Sequence, residues 1–463
     1  MSGIFQGLEL AKRALLSQQF ALTTTGHNIA NADTPGYSRQ RVNLEATDPM
    51  ISTIGRVGTG VRVASVQHLR DLFLTGQYRQ GNDQLGRWST LQSALSEVEN
   101  TVREPSDTGF NSVLSSFFNA WQLLSQNPES SAARASVREQ ASTLVNAFHQ
   151  LSNRLSDLER SLDNGVATQV SAINETASEL ASLNRQIQRS ELGGQSANDL
   201  RDRRDRLLDE LSQHVNVNVI EQGNGITRVF LGSMEVVGLD SYRTLGTKTV
   251  GAGTLTRTVV VWQGTSTEVT IRGGELSGVM TARDEAVPEY RRMLDQLAGA
   301  IVSRVNAVHA TGSGLDGTAG YNFFDPTRTT AADIALSNAV TGDLNRIAAS
   351  QSGEVGDNAN ALAIANLQNA LAMNDNTSTF ADYYAQLIGT IGTRAKEATD
   401  AKENAGLVLQ QIEFSRQSVQ GVSLDEETAD LIKAQHAYAA AARVVSAVDS
   451  ALNTLINEMG VGI

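Results

Sequence analysis

A seven-residue apolar repeat closes this chain and limits what it can fold into. Leu424, Leu431, Tyr438, Val445, Leu452 and Met459 stand seven apart, and a second row, Ala434, Ala441, Val448 and Leu455, lies three residues further on. Such a repeat builds a helix that packs lengthwise on another helix. The opening stretch has the same character: Ile4, Leu8, Ala11, Leu15, Leu22 and Ile29 step by four, three, four, seven and seven, with Gln18 interrupting the row. Two apolar-striped ends predict a discontinuous terminal coiled coil. They also leave two accounts of the seam: it folds the chain on itself, or it meets further copies. On the second account the assembly residues are Ile4, Leu8, Leu15, Leu22, Ile29, Leu424, Leu431, Tyr438, Val445, Val448, Leu452 and Leu455. Alanines at 434, 437 and 439–442 favour close helix approach from several sides.

Composition removes several classes of function. The 463 residues carry a net charge of −13, which argues against a nucleic-acid partner. Cysteine is absent, so there is no disulfide, thiolate nucleophile or thiolate metal site. Aromatics at 5% suit thin helical bundles better than a compact enzyme core. No run of 18 apolar residues predicts a membrane span, and Glu9, Lys12 and Arg13 interrupt any secretory signal core. The histidines at 27, 68, 149, 214, 309 and 436 show no metalloprotease spacing, and no nucleophile-elbow motif is present. The expectation is a non-enzymatic protein without cofactor or metal.

Along the chain, residues 3–31 read as a helix ending before Thr34-Pro35-Gly36-Tyr37, a turn in which Pro fixes φ and Gly permits positive φ. Residues 40–68 read as extended. Asn111–Asn127 reads as an apolar helix stopped by Pro128. Leu151, Leu155, Leu158 and Leu162 form one helical seam; Val166, Val170, Ile173, Ala177, Leu180 and Ile187 form another, shifted by about one residue. This predicts one long helix or a kinked pair. A charged helix follows Gly193-Gly194, and its balanced Arg and Asp/Glu between 199 and 210 predict pairs three and four apart along one solvated or subunit-facing helix. Val215, Val217 and Val219 then change to an alternating period, so 215–272 reads as a small β subdomain. Helix resumes over 275–309. Residues 310–360 are mostly loop, and 361–420 are helical, with Ala398, Ala405, Ile412 and Val419 seven apart. The Gly-rich Gly312–Gly320 lacks the Gly-Lys-Ser/Thr ending of a phosphate loop, and Asp316 and Asp325 lack calcium-loop spacing.

The segment NIANADTPGY contributes Asn28, Ile29, Ala30, Asn31, Thr34, Pro35, Gly36 and Tyr37, with Arg39, Gln40 and Val42 after it. It resembles the N-terminal signature of the bacterial flagellar axial proteins, the rod, hook and hook-associated family. LNRQIQ with NDLRDRRDRLLDELS (183–212), GGELSGVMTARDE (273–285), LDQLAGAIVSRVNAVHATGSGLDGTAGYNFFD (294–325) and the terminal 421–456 are similar to the hook-associated members of that family. The resemblance implies a mainly α fold with three parts. Residues 1–40 and 421–463 would be the coiled-coil assembly domain, 41–214 and 273–420 an elongated helical domain, and 215–272 the β insertion. An outer domain near 326–360 would be absent or reduced. It also implies a structural junction subunit of the extracellular flagellum, exported by the type III route. Its partners would be its own copies, hook protein, the next hook-associated protein, and a cytosolic export chaperone at the C-terminal helix. The terminal helices would be disordered or loosely paired in the monomer until neighbours cover their stripes. Each buried Leu or Val then contributes roughly 1.5–3 kcal/mol. Another axial subunit, rod or hook, is the alternative within the family. A secreted membrane-active helix is the alternative of another class. That would need a basic amphipathic face, whereas Asp425, Glu426, Glu427 and Asp430 precede Lys433.

Overall fold

The computed structural model describes residues 2–52, 55–102, 109–222, 225–252 and 255–454. Leu455 and Met459 of the terminal rows lie outside the described residues. The fold is mainly α with a few small sheets, as the heptads and the single alternating stretch predict. Helix α1 spans Ser2–Ala30 and is followed by the turn at 31–38. Strands β1 (Gln40–Ala46) and β4 (Val61–His68) pair antiparallel, from Gln40 opposite His68 to Ala46 opposite Val61. The short pair β2 (Met50–Ser52) and β3 (Gly55–Val57) caps this arm.

Helix α2 runs Leu72–Val102, α3 Phe110–Gln126 and α4 Ser131–Glu191. Pro128 separates α3 from α4, whose first turn is capped by the Ser130 side chain accepting from the Ala133 N–H. α4 is one uninterrupted helix of 61 residues, so the two leucine and valine seams belong to a single rod. The phase shift between them has a structural counterpart, because the rod changes partners there. Leu144 to Leu158 pack in one hydrophobic core with α2, α3 and helices later in the chain. Val166 to Ile187 pack in a second core under the β strands. Leu162, between the two seams, is half-buried against both.

The second core is closed by α5 (Asn198–His214) through Leu207, Leu208 and Leu211. It is also covered by the antiparallel sheet β5 (Asn218–Glu221), β6 (Thr227–Leu231) and β7 (Met234–Val237), and by the hairpin β8 (Leu245–Ala252) and β9 (Leu255–Trp262). Helix α6 (Gly274–Thr281) passes through a π turn at Ala282–Ala286 into α7 (Val287–His309). Buried Arg283 in that turn, 2% exposed, donates to Asp163 on α4 at 2.7 Å.

The first core collects Phe117, Trp121, Phe323, Phe324 and Phe380, all fully buried. Residues 310–358 are largely loop, with only α8 (Asn338–Gly342) and one 3-10 turn, and they lie on this core through Ile334, Val340 and Ile347. His309 holds the loop down. Its Nδ1 lies 2.7 Å from the Tyr321 carbonyl and its Nε2 accepts from the Ala348 N–H at 2.9 Å, so the imidazole is neutral with the proton on Nδ1. Burial pushes its pKa down to about 4.

The predicted 361–420 helix is two elements. α9 (Ala359–Asn366) stops at a 3-10 turn, and α10 (Phe380–Gln420) starts at a Thr379/Asp382 capping box. α10 lies antiparallel on α2: Gly392 stands by Glu99, Gly406 by Leu85 and Gly81 by Leu409. Of the heptad row on α10, Ala398 is buried, Ala405 and Ile412 are half-buried, and Val419 is exposed. Helix α11 (Leu424–Asn453) follows a link at 421–423.

Candidate assembly surface and its polar joint

α1 and α11 pack on each other along their length. Gly7 lies against Val448 at one end, and Asn28 donates to Glu427 at the other, so the pair is antiparallel. The two stripes therefore partly cover one another within one chain. The β1–β4 arm lies alongside: Gly60 packs on Leu10, and Arg13 donates to the Thr59 carbonyl. Neither hydrophobic core takes a residue from 40–68; the arm touches α1 on one side and α5 on the other, where Asn198 Nδ2 donates to the Val66 carbonyl.

The predicted assembly residues fall into three groups. Leu8, Leu15, Leu22, Ile29, Leu431, Val445, Val448 and Leu452 are half-buried and flank the seam. Leu424 and Tyr438 are 54% and 39% exposed and do not belong to it. Leu424 lies beyond the level where α1 ends at Ala30, so no helix faces it. At Tyr438 the neighbouring floor is Ala434 and Ala441, and a ring has no room between helices that approach this closely. Ile4 lies on α1, and Leu455 is outside the described residues.

The fully buried floor of the pair is small or polar: Ala11, Ser17, Thr25 and Asn28 on α1, and Glu427, Ala434 and Ala441 on α11. Apolar periodicity has no means of finding Ser17, Thr25, Asn28 or Glu427. It also passes over Phe5 and Phe20, which with Leu16 form an exposed stripe on α1 at 56%, 54% and 49%. Those three side chains share one helical face by their spacing.

The NIANADTPGY segment forms the joint at the inner end of the pair. Gly36 has φ of 77°, which the turn needs and a side chain would strain. The turn brings Tyr37 back over α1, where its hydroxyl donates to Asn28 Oδ1 at 2.7 Å and lies 3.1 Å from His27 Nδ1. Asn28 uses all its capacity. Its Oδ1 also accepts from the Gln40 N–H, and its Nδ2 donates to the Gln40 carbonyl and to Glu427 Oε2, each at 2.9 Å. Arg39 crosses to α11: its Nε donates to Glu427 at 2.6 Å and its Nη1 to Glu426 at 2.6 Å, with Asp430 3.6 Å away. Burial, then the charges of Asp199, Asp202 and Glu427, push the Tyr37 phenol well above its usual range, so it stays a donor. Partial burial works against the Arg39 charge, but Glu426 and Glu427 outweigh it and raise its pKa. Ile29 and Asn31 flank this joint, while Ala30, Thr34 and Pro35 face outward.

The joint continues into the helical body through α5. The Ser38 N–H donates to Asp202, which also lies 3.3 Å from His68, and Gln40 donates to Asp199. Apart from Arg204 with its neighbour Asp205, the charges of α5 pair mostly with other elements and not three or four apart along their own helix as the sequence suggests. Arg201 pairs with Glu191 across the α4–α5 turn at 2.7 Å. Asp205 takes Arg70 at 2.8 Å, and Asp209 takes Arg79 at 2.8 Å and Arg416 of α10 at 2.6 Å. The Arg416 guanidinium lies over the Tyr78 ring, 3.9 Å from its centroid. The reason is burial: Arg204 is fully buried and Arg79 and Asp202 nearly so, and a charge there needs a partner from another element. A polar cleft of about 850 Å³ opens between the turn, α5 and the α10–α11 link. Among the described residues no group of acidic, His or Cys side chains is arranged to hold a metal ion. No described helix is long and apolar enough to cross a membrane. The arrangement is built for holding and docking elements.

Comparison with known proteins gives the same outline. A family profile described as "Flagellar hook-associated protein FlgK helical domain" matches residues 95–324. Two others, "Flagella basal body rod protein" and "Flagellar basal body rod FlgEFG protein C-terminal", match 8–37 and 416–458, the two arms of the terminal pair. A flagellar hook-associated protein 1 of Bacillus subtilis is 36% identical over 505 aligned positions, covering 100% of both chains. One from Salmonella typhimurium is 27% identical and covers 96% of this chain and 98% of its own. Among solved structures, the flagellar hook junction protein FlgK from Burkholderia pseudomallei shares the fold with a TM-score of 0.67 at 18% identity, over 74% of this chain and 100% of that one.

Proposed function

The chain belongs to the flagellar hook-associated protein 1 family, and on that premise we propose that it polymerises through α1 and α11 into a short zone between hook and filament. It is a structural component of the bacterial flagellum, a junction protein of the extracellular axis. The observation that carries the proposal is the terminal pair itself. Its helices are tied to the body by the polar joint, and the Phe5, Leu16 and Phe20 stripe is left for a neighbouring subunit to cover. Burying one such ring contributes roughly 1.5–3 kcal/mol, so several per contact suffice for a stable zone. In this reading Leu8, Leu15, Leu22, Leu431, Val445, Val448 and Leu452 hold the pair together, and the outward stripe meets the next copy. Hook protein lies on one side and the next hook-associated protein on the other. A tag in the exposed loop at Gly353, detected on isolated flagella, is expected in one narrow band at the hook–filament border. A tag found in the rod or spread along hook or filament would overturn the assignment.

Before export the same apolar surface must be kept from aggregating. We propose that a cytosolic chaperone binds the C-terminal helix, while the signal for type III export lies in the N-terminal segment. Deletion of 424–463 is expected to abolish recovery of the chaperone in a pull-down. Undiminished recovery would place the chaperone's site elsewhere.

A further inference from the structure

Both helices of the terminal pair repeat every seven residues. Leu8, Leu15, Leu22 and Ile29 do so on α1; Leu431, Tyr438, Val445 and Leu452, and Ala434, Ala441 and Val448, do so on α11. Sliding α11 along α1 by one heptad therefore sets apolar residues against apolar residues again at almost every level. Side-chain volume discriminates weakly between such registers, because the buried apolar floor is alanine: Ala11, Ala434 and Ala441. Packing alone leaves the registers close in energy.

A buried charge breaks the repeat. Glu427 is 2% exposed, and its two oxygens are satisfied by Arg39 Nε at 2.6 Å and Asn28 Nδ2 at 2.9 Å. One heptad toward the N-terminus of α1, its neighbour would be Ala21, which offers no side-chain donor. One heptad the other way lies past Ala30, where α1 has ended. A buried carboxylate without donors is strongly unfavourable, so only one register keeps this one satisfied. We propose that Glu427 is the register key of the terminal pair, a positioning residue that selects one of several nearly equivalent helix alignments. By doing so it decides which residues of α11 stand beside the exposed stripe of α1. The competing account is covalent: the link at 421–423, with the Arg39 N–H donating to the Gln420 carbonyl at 2.8 Å, would set the register unaided.

The absence of cysteine makes the register directly readable in the full-length protein. A Cβ at position 7 lies 3.8 Å from Val448 Cγ2, so Gly7→Cys with Val448→Cys reports the observed register. Gly7→Cys with Ala441→Cys reports the alignment one heptad away. Under mild oxidation the otherwise native chain is expected to cross-link only through the first pair. Glu427→Leu removes one acceptor each from Asn28 Nδ2 and Arg39 Nε, but Asn28 keeps the Gln40 carbonyl and Arg39 keeps Glu426 and Asp430. In that background the slipped cross-link is expected to rise by about tenfold or more, with helicity by circular dichroism retained. Glu427→Gln keeps an acceptor for Asn28 and is expected to return the native pattern. If Glu427→Leu cross-links through 448 alone, or loses the native cross-link without gaining the slipped one, the proposal fails. Neither outcome depends on what the pair assembles with, so the register and the junction role are tested separately.

Discussion

Glutamate in place of Ala441 is expected to leave the body folded and to stop the protein from building a junction. Ala441 is 7% exposed at the floor of the α1–α11 pair, where the other buried apolar residues among the described ones are Ala11 and Ala434. A longer charged side chain there either pushes the helices apart or is buried without a donor, at a cost of about 2–7 kcal/mol or more. The pair has little with which to offset that, since most of its large apolar residues are half-buried or exposed. Neither hydrophobic core contains a residue of α1 or α11, so the body should melt within about 2 °C of the native chain. In cells the variant should be exported yet shed into the medium, with filaments missing and swimming abolished. Ala441→Ser, which changes little in volume, should swim normally. Normal motility of Ala441→Glu would mean that the pair is not the surface on which the axis is built.

The parts of this fold that follow a period could be read from residues alone. The terminal heptads pointed to the α1–α11 pair, and the two seams at 151–162 and 166–187 pointed to one long helix or a kinked pair, of which the structure has the first. The alternation from Val215 marked the start of the β strands. What escaped has a common physical cause. Periodicity reports apolar faces, and the decisive contacts at the joint are polar. Asn28 and Tyr37 were visible as members of a motif, but Glu427, 399 positions away in sequence from Asn28, was visible only as a charge in the first turns of a helix. The same holds for α5. Its alternating charges fit pairs along one helix, and nothing local distinguishes those from pairs to α2, β5 and α10. Burial decides it, and burial is a property of the assembled fold. The arm at 40–68 was legible as extended, but its place beside α1 depends on contacts such as Gly60 with Leu10, which no spacing announces.

Removing the Asp205 carboxylate is expected to cost more than any single exposed ion pair in the protein. Arg70 lies 2.8 Å from it, Arg204 3.3 Å and Arg79 3.5 Å, and the three guanidinium side chains are only 8%, 1% and 7% exposed. Glu221, 3.1 Å from Arg70, and Asp209, 2.8 Å from Arg79, remain, but Asp209 also serves Arg416. Asp205→Ala therefore leaves buried positive charge without enough partners, a defect worth about 3–5 kcal/mol. It should appear at neutral pH as a lower urea midpoint and as faster amide exchange in α5, with the first core less affected. Acid supplies a second readout. Burial raises the Asp205 pKa, but the charges of Arg204, Arg70 and Arg79 outweigh it, and the carboxyl titrates below its ordinary value. A group depressed in the folded state stabilises above its unfolded pKa of about 3.9, and that stabilisation is lost as pH falls through the folded value. The native chain should lose this contribution below about pH 4, whereas the variant has none to lose. The gap between them should narrow in acid. A variant within about 1 kcal/mol of the native protein at pH 7, or a gap that stays constant down to pH 2, would show that the arginines of α2 and α5 are satisfied without Asp205.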